Sequence, residues 1–213
     1  HITHISTAAE LQLLDNSLPL NKKKITSEVC PHYLCFDYND YKSKKGFIKC
    51  NPSIKSSSDK NALLKGIIDG NIDIISTDHA PHTIEEKQQP YFSCPSGIAS
   101  IEHSLLIMLE LYYQNKISLE KLVDKMCHSP SICYNIKQRG FIKEGYWADL
   151  VLLELKTKWK ANKTDIITKC GWSPYEETIF RSKITYTFVN GNLIYCNNQF
   201  NDKIYGKRLM FDR

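Results

Sequence analysis

The chain has 213 residues, of which 42% are hydrophobic, and a formal net charge of +5. A chain of this length can bury a sizeable core. The positive charge is spread over many lysines and forms no basic block interleaved with aromatic residues, so nucleic-acid binding is not indicated. The longest apolar stretch, residues 104–113, contains Glu110 and falls well short of the roughly 20 residues that a membrane span needs. With no signal-peptide pattern either, no membrane association is expected.

Eight cysteines are scattered along the chain, and no two of them form a Cys-x-x-Cys pair. Several, including Cys30 and Cys127, lie in segments that read as buried. In a chain so well supplied with apolar residues, this pattern is typical of reduced, structural thiols. We therefore expect a cytoplasmic protein.

The N-terminal third reads as alternating strands and helices. Residues 1–6 form a short β-rich segment, and the capping-box pattern of 7–10 predicts a helix that carries Leu11, Leu14 and Leu18. A second strand is expected over 25–30. Ser58 is a candidate cap for a helix that ends at Gly70.

Residues 72–77 are mostly Ile, Ser and Thr, as expected for a strand buried on both faces of a parallel sheet. The strand ends in Asp78-His79-Ala80-Pro81-His82, where the proline prevents regular continuation. In an α/β barrel, catalytic groups gather at the C-terminal ends of the strands. The alternative is a surface loop that happens to hold Asp and His, but three ionisable groups at a buried strand end are costly unless they are paired or bound to metal.

Beyond this strand, a long polar loop spans 83–95, and two helices are expected, one over 101–112 and one capped by Ser118. The character then changes. Short β segments are predicted over 149–155, 183–189 and 192–196, with Asn190-Gly191 as a type I′ hairpin signal. We divide the chain into an α/β part, residues 1–138, and a mostly β part, residues 139–213.

The α/β part holds only three strand–helix units, whereas a complete eight-stranded barrel takes about 250 residues. The chain also opens on His1 in what reads as an interior strand. The predicted fold class is therefore α/β: the C-terminal part of a TIM-type (β/α)8 barrel followed by a small β layer. We expect the chain to be a piece of a longer polypeptide.

His4, Asp78 and His82 carry the chemistry of a hydrolytic metal site. Imidazole nitrogen and carboxylate oxygen are usual Zn²⁺ ligands, and a metal-bound water loses a proton near neutral pH. A neighbouring carboxylate can then take up a proton and pass it to a leaving nitrogen. Sequence spacing alone leaves open whether His4 and Asp78 meet, and either histidine is also compatible with a purely structural role.

Five ordered segments resemble the motifs of the amidohydrolase superfamily, and specifically those of class I dihydroorotases. They are His4-Ile5-Ser6-Thr7, Glu28-Val29-Cys30-Pro31-His32, Lys49-Cys50-Asn51-Pro52, Asp78-His79-Ala80-Pro81-His82-Thr83 and Pro95-Ser96-Gly97. A sixth, Gly145-Tyr146-Trp147-Ala148-Asp149-Leu150, resembles the return into that family's β-sandwich. The Asp-His-Ala-Pro-His element is the most specific of these, and the resemblance covers nearly the whole chain.

The resemblance implies a role for each motif. His4 would be a metal ligand from the sixth barrel strand, and Asp78 a ligand and general acid/base from the eighth. Asn51 and His82 would contact the substrate, and the backbone of Ser96 and Gly97 would line the same pocket. The reaction implied is the reversible cyclisation of N-carbamoyl-L-aspartate to dihydroorotate in pyrimidine biosynthesis, with one or two Zn²⁺ ions.

The departures from the family pattern matter equally. The family has a His-x-His pair and a nearby substrate-binding Arg on its first strand, a bridging carboxylate group, and a further His ligand. The chain has none of these, and its four arginines all lie beyond position 138. Two protein ligands are too few for a catalytic zinc site. We therefore expect further ligands from a missing N-terminal part, and no activity from the chain alone.

Two other interpretations stay open at this point. A dihydropyrimidinase or allantoinase would share the His and Asp ligands but bind a different ring. A non-catalytic dihydroorotase-like subunit would instead bind a partner such as aspartate carbamoyltransferase, and self-association into a homo-oligomer is a further expectation. Among the other histidines, structural roles are expected for His32 and His103, while His79 is expected to support Asp78 without binding metal.

Overall fold

A computed structural model describes residues 1–212. Its helices are α1 (Ala8–Leu11), α2 (Pro31–Cys35), α3 (Tyr41–Lys44), α4 (Ser57–Asp69), α5 (Ile84–Lys87), α6 (Ser104–Tyr113), α7 (Leu119–Val123) and α8 (Ser129–Cys133). Its strands are β1 (Glu28–Val29), β2 (Ile74–Ile75), β3 (Leu150–Lys160), β4 (Ile179–Val189), β5 (Asn192–Cys196) and β6 (Gln199–Phe200). Short 3-10 turns cover 20–22, 38–40, 45–48, 101–103 and 163–165.

A small parallel sheet lies at the centre of the N-terminal part. β1 pairs with β2, with Glu28 opposite Ile74. Ile2 bridges in parallel to Ser27, and its backbone N–H donates to the carbonyl of Thr26 at 2.8 Å. Three neighbouring chain segments thus run in the same direction, as expected for consecutive strands of an α/β barrel. Within residues 1–212 these strands do not close into a barrel.

The helix that precedes this sheet's last strand begins earlier than predicted. The hydroxyl of Ser56, rather than that of Ser58, accepts from the backbone N–H of Asp59. The Asp59 carboxylate in turn accepts from the backbone N–H of Ser56, which completes a capping box. Gly70 ends α4 in the left-handed region, as predicted. The prediction for α1 was right about its capping box on Thr7 but wrong about its length, because the helix stops at Leu11.

The helical region after the long loop differs in detail from the prediction. The loop itself contains α5, capped by Thr83. Ser118 caps α7 as expected, but the chain then continues through a π-helical turn, residues 124–128, into α8. Pro130 lies in the first turn of α8.

The C-terminal part forms an antiparallel sheet in the order β3-β4-β5-β6. Each of the predicted β segments is present, and β3 and β4 extend further than expected, to 11 residues each. Asn190 and Gly191 have φ values of 52° and 81°, which confirms the type I′ signal.

The loop between β3 and β4 packs against the α/β part. Trp172 and Tyr175 are each 1% exposed. The Trp172 ring meets Phe47 edge-on at 5.2 Å, and the Tyr175 ring stacks on Phe36 at 5.4 Å. Burial of large aromatic rings contributes heavily to such an interface, so the two parts share one core here.

Several smaller expectations can be checked in residues 1–212. Every cysteine is a free thiol, but Cys127 is exposed, so its assignment as buried was wrong. No helix in this part of the chain is long and apolar enough to cross a membrane.

Candidate active site at the strand ends

His4 and Asp78 occupy equivalent places, each just beyond a strand of the parallel sheet. Both have φ of 43°, a left-handed conformation that is uncommon for residues other than glycine. Such strained backbone persists only where the surroundings impose it, and it clusters at functional sites. β1 lies between the two strands, so the strands that lead to His4 and Asp78 are about 10 Å apart.

The His4 ring lies close to the start of α2. Its Nε2 is 3.2 Å from the hydroxyl of Thr3. His32, on α2, is fully buried, and neither of its ring nitrogens has a hydrogen-bond partner within residues 1–212. Burial, and to a smaller extent the charge of His4, lowers the pKa of His32 to about 3. His32 therefore stays neutral.

The carboxylate of Asp78 influences groups from two segments around it. Burial is the main reason why the pKa values of Cys30, Cys50 and Tyr33 are raised, to about 11 for Cys50, and the negative charge of Asp78 adds to each. The Tyr33 ring lies 4.3 Å from that of His32. His4 and Asp78 thus each have an electrostatic effect on a residue of α2, His32 and Tyr33 respectively.

The backbone on both sides of Asp78 is held by one segment. The Ser100 hydroxyl donates to the carbonyl of Thr77 at 2.5 Å. The Nδ1 atom of His79 accepts from the backbone N–H groups of Ser100 and Ile101, at 3.2 Å each. These bonds require an unprotonated Nδ1 and hold the His79 ring against the segment of Ser100 and Ile101.

His82 joins the two loops of the site. One of its ring nitrogens, Nε2, is 3.0 Å from the carbonyl oxygen of Ser96, and the other, Nδ1, is 3.6 Å from the carboxylate of Glu86. Gly97 follows Ser96 with φ of 143°, and its Cα lies so near the Ala80 carbonyl that a Cβ atom would be 2.2 Å from the oxygen. The predicted residues His82, Ser96 and Gly97 thus come together in one close loop-to-loop contact.

Asn51 is connected to the same loops through its neighbours. Its side chain is exposed, and its peptide bond to Pro52 is cis. Two residues before it, the carbonyl of Lys49 accepts from the backbone N–H of Gly97 at 2.9 Å. The segment that carries Asn51 is therefore tied to the Gly97 loop.

The sequence interpretation missed two buried residues behind these loops. Lys87 is 1% exposed, and its ammonium group contacts three backbone carbonyls. Trp172 donates its indole N–H to the carbonyl of His82 at 2.8 Å. A lysine in a polar loop usually reads as solvated, and a tryptophan 90 residues away gives no local sign of its partner.

His4 and Asp78 have the right chemistry for a divalent metal, but they do not make a complete site. Within residues 1–212, no three His, Cys, Asp or Glu side chains are grouped so that they could hold a metal ion. A catalytic zinc needs three protein ligands. The donors of this part of the chain thus fit part of a metal site.

Parallel strands with helices packed around them are typical of part of an α/β barrel. The chain belongs to the amidohydrolase family, whose model matches residues 1–194. It is 36% identical over 198 residues to a dihydroorotase from Endomicrobium trichonymphae, covering 92% of this chain and 46% of that protein. It is 32% identical over 210 residues to a dihydroorotase from Pyrococcus furiosus, covering 99% of this chain and 48% of that protein.

Among solved structures, the chain resembles an L-hydantoinase (dihydropyrimidinase) from Arthrobacter aurescens, with a TM-score of 0.86 and 24% identity. The match covers 93% of this chain and 45% of that one. At this identity the likeness establishes the fold, and it confirms the predicted fold class. The chain spans about half the length of the relatives that it matches.

Proposed function

We propose that the chain forms part of a metal-dependent dihydroorotase, which interconverts N-carbamoyl-L-aspartate and dihydroorotate in pyrimidine biosynthesis. The observation that carries the proposal is the matched, strained placement of His4 and Asp78 beyond two parallel strands of one sheet that are separated only by β1. The similarity to dihydroorotases over almost the entire chain supports it.

In this proposal His4 and Asp78 bind the metal, together with ligands from outside residues 1–213. We propose zinc, as one or two ions, which when bound would supply a nucleophile at neutral pH. Asp78 takes up the proton of the attacking water and delivers it to the ring nitrogen as the amide bond breaks, so that one carboxylate serves as general base and then as general acid.

Substrate binding falls to the loops around His82. Its imidazole can donate to a carboxylate of the substrate, and Asn51 can supply an amide. The peptide groups of Ser96 and Gly97 line the same pocket. We retain the division of the chain at residue 138, a cytoplasmic location consistent with free thiols, and self-association or contact with aspartate carbamoyltransferase as parts of this proposal.

A dihydropyrimidinase is the second candidate, because solved structures of that activity share the fold. Their identity to this chain is 24% or less, however, and such a likeness supports the fold alone. The relatives that are 30–36% identical are dihydroorotases. We therefore place dihydroorotase first.

The test uses the complete reading frame that contains residues 1–213, expressed and loaded with Zn²⁺. We expect turnover of dihydroorotate and N-carbamoyl-L-aspartate, but not of dihydrouracil or allantoin, and its loss after treatment with a chelator. Replacement of Asp78 by Asn should lower kcat at least about a thousandfold, since it removes both a ligand and the proton carrier.

The matched control is Asp202→Asn, an exposed aspartate in the β part, which should leave kcat unchanged. Residues 1–213 expressed alone should show no turnover. Preferred hydrolysis of dihydrouracil would favour the second candidate. Full activity of Asp78→Asn would contradict the proposed role of this residue.

A further inference from the structure

Lys87 is a buried cation with an unusual set of partners. Its Nζ lies 2.7 Å from the carbonyl oxygen of Gly97, 3.0 Å from that of Pro95 and 3.3 Å from that of Lys49. Within residues 1–212 it forms no salt bridge. The Trp172 ring covers it, with the ring centroid 5.6 Å from Nζ.

Three carbonyl acceptors around one nitrogen require three N–H donors. A protonated lysine has three, whereas a neutral amine has two and a lone pair, which would face a carbonyl oxygen. Lys87 is therefore charged in this structure, although burial lowers its pKa. A buried charge without an anionic partner is costly unless hydrogen bonds satisfy it, as the three carbonyls do here.

The three carbonyls belong to the two segments expected to contact the substrate. Pro95 and Gly97 flank Ser96, and Lys49 lies two residues before Asn51. The Ser96 carbonyl itself points elsewhere, to His82 at 3.0 Å. The carbonyls thus alternate in direction along the loop, and the cation holds both of those that point inward.

This alternation fixes the peptide groups between them. In a trans peptide the N–H points opposite to the preceding C=O. Because the Pro95 carbonyl points to Lys87, the N–H of Ser96 points away from it. Because the Ser96 carbonyl points to His82, the N–H of Gly97 points the other way, and it donates to Lys49 at 2.9 Å.

We propose that Lys87 is a positioning residue that preorganises the substrate loops by holding the carbonyls of Lys49, Pro95 and Gly97 on one buried ammonium. This inference rests on the proposed function for its effect on substrate, but the geometry of the loops can be tested separately. Without the cation, the Gly97 carbonyl loses its donor and the Pro95 carbonyl keeps only the weak thiol of Cys94, so the loop rearranges to hydrate them, although the Lys49 carbonyl still accepts from the Gly97 N–H.

The test compares Lys87→Met with wild type in the complete reading frame. Methionine is similar in length but has no charge and no donor. We expect the Gly97 amide to exchange with solvent at least tenfold faster, and KM for dihydroorotate to rise at least tenfold while kcat changes less than threefold. The matched control is Lys42→Met, an exposed lysine of α3, which should change neither quantity.

A purely structural lysine would give a different result. The melting temperature would fall, but KM measured below the melting temperature would stay as in wild type. The exchange rate of the Gly97 amide, relative to other core amides, would also be unchanged. That outcome overturns the proposal. If Lys87→Met does not fold, Lys87→Gln takes its place, since it is also uncharged and retains a donor. If the wild type turns over neither dihydroorotate nor N-carbamoyl-L-aspartate, the proposed function fails, and the Gly97 exchange rates still decide the role of Lys87.

Discussion

Replacing Gly97 by alanine tests how closely the two loops of the site must approach. A Cβ atom at this position would lie 2.2 Å from the carbonyl oxygen of Ala80 and 3.0 Å from the ring of His82. Real Cβ atoms essentially never come within 3.0 Å of another heavy atom, so the loops must separate by about 0.8 Å. The obstructing atom belongs to the backbone and cannot simply rotate away.

Two costs add in this variant. Overpacking typically costs about 1–3 kcal/mol. The φ of 143° is strained for any residue with a side chain, which adds about 1–3 kcal/mol. The sum is about 4 kcal/mol, and at about 2–4 °C per kcal/mol for a chain of this size the melting temperature should fall by about 8–16 °C. A shift of nearly 1 Å beside His82 should also lower kcat/KM about a hundredfold.

Gly145→Ala is the matched control. Gly145 also has a positive φ, 82°, but nothing lies within 4 Å of the Cβ position. It should therefore show only the conformational cost, about 1–2 kcal/mol, with unchanged kcat/KM. Thermal unfolding and steady-state kinetics on the two variants measure the difference. Equal losses of stability and activity in both would refute the reasoning, because the clash with Ala80 would then contribute nothing.

The remaining predictions concern the stability of the fold. Ser56→Ala should cost about 1 kcal/mol in urea unfolding by removing the cap of α4, whereas Ser58→Ala should stay within about 0.5 kcal/mol of wild type. The free energy of unfolding should fall as pH drops below about 6.5, because His32 becomes protonated in the unfolded chain but stays neutral when it is buried in the folded protein. His32→Phe should reduce that fall, and His128→Phe, at a partly exposed site, should not; equal pH profiles would contradict the assignment. Ile67→Ala, at a fully buried position, should cost about 2–5 kcal/mol, and a smaller loss would mean that the site collapses around the cavity.

Much of the fold could be predicted because its signals are local. The buried run that ends in Asp78, the capping box at Thr7 and the Asn190-Gly191 turn each depend on a few adjacent residues. The prediction of Ser58 as a cap was wrong because three consecutive serines, 56–58, lie at the start of α4, and only Ser56 has an acidic residue three positions later whose side chain can accept from its own backbone N–H.

The support of the site could not be predicted, because it depends on contacts between distant segments. Lys87 acts on carbonyls that lie up to 38 residues away, and backbone carbonyls leave no trace in a sequence. The roles of Asn51, His82, Ser96 and Gly97 in substrate binding stay predictions, although three of them do lie in one loop-to-loop contact. The left-handed backbone at His4 is equally invisible, since histidine gives no sign of a positive φ.

The indole of Trp172 has a consequence for anyone who shortens or recombines this protein. Because its N–H is satisfied by a carbonyl within the Asp-His-Ala-Pro-His element, the antiparallel sheet is not an independent module that can be exchanged at will. A chimaera that takes its sheet from another protein would need to supply an equivalent donor; otherwise the His82 carbonyl would lack a hydrogen bond and a cavity the size of an indole ring would form beside it.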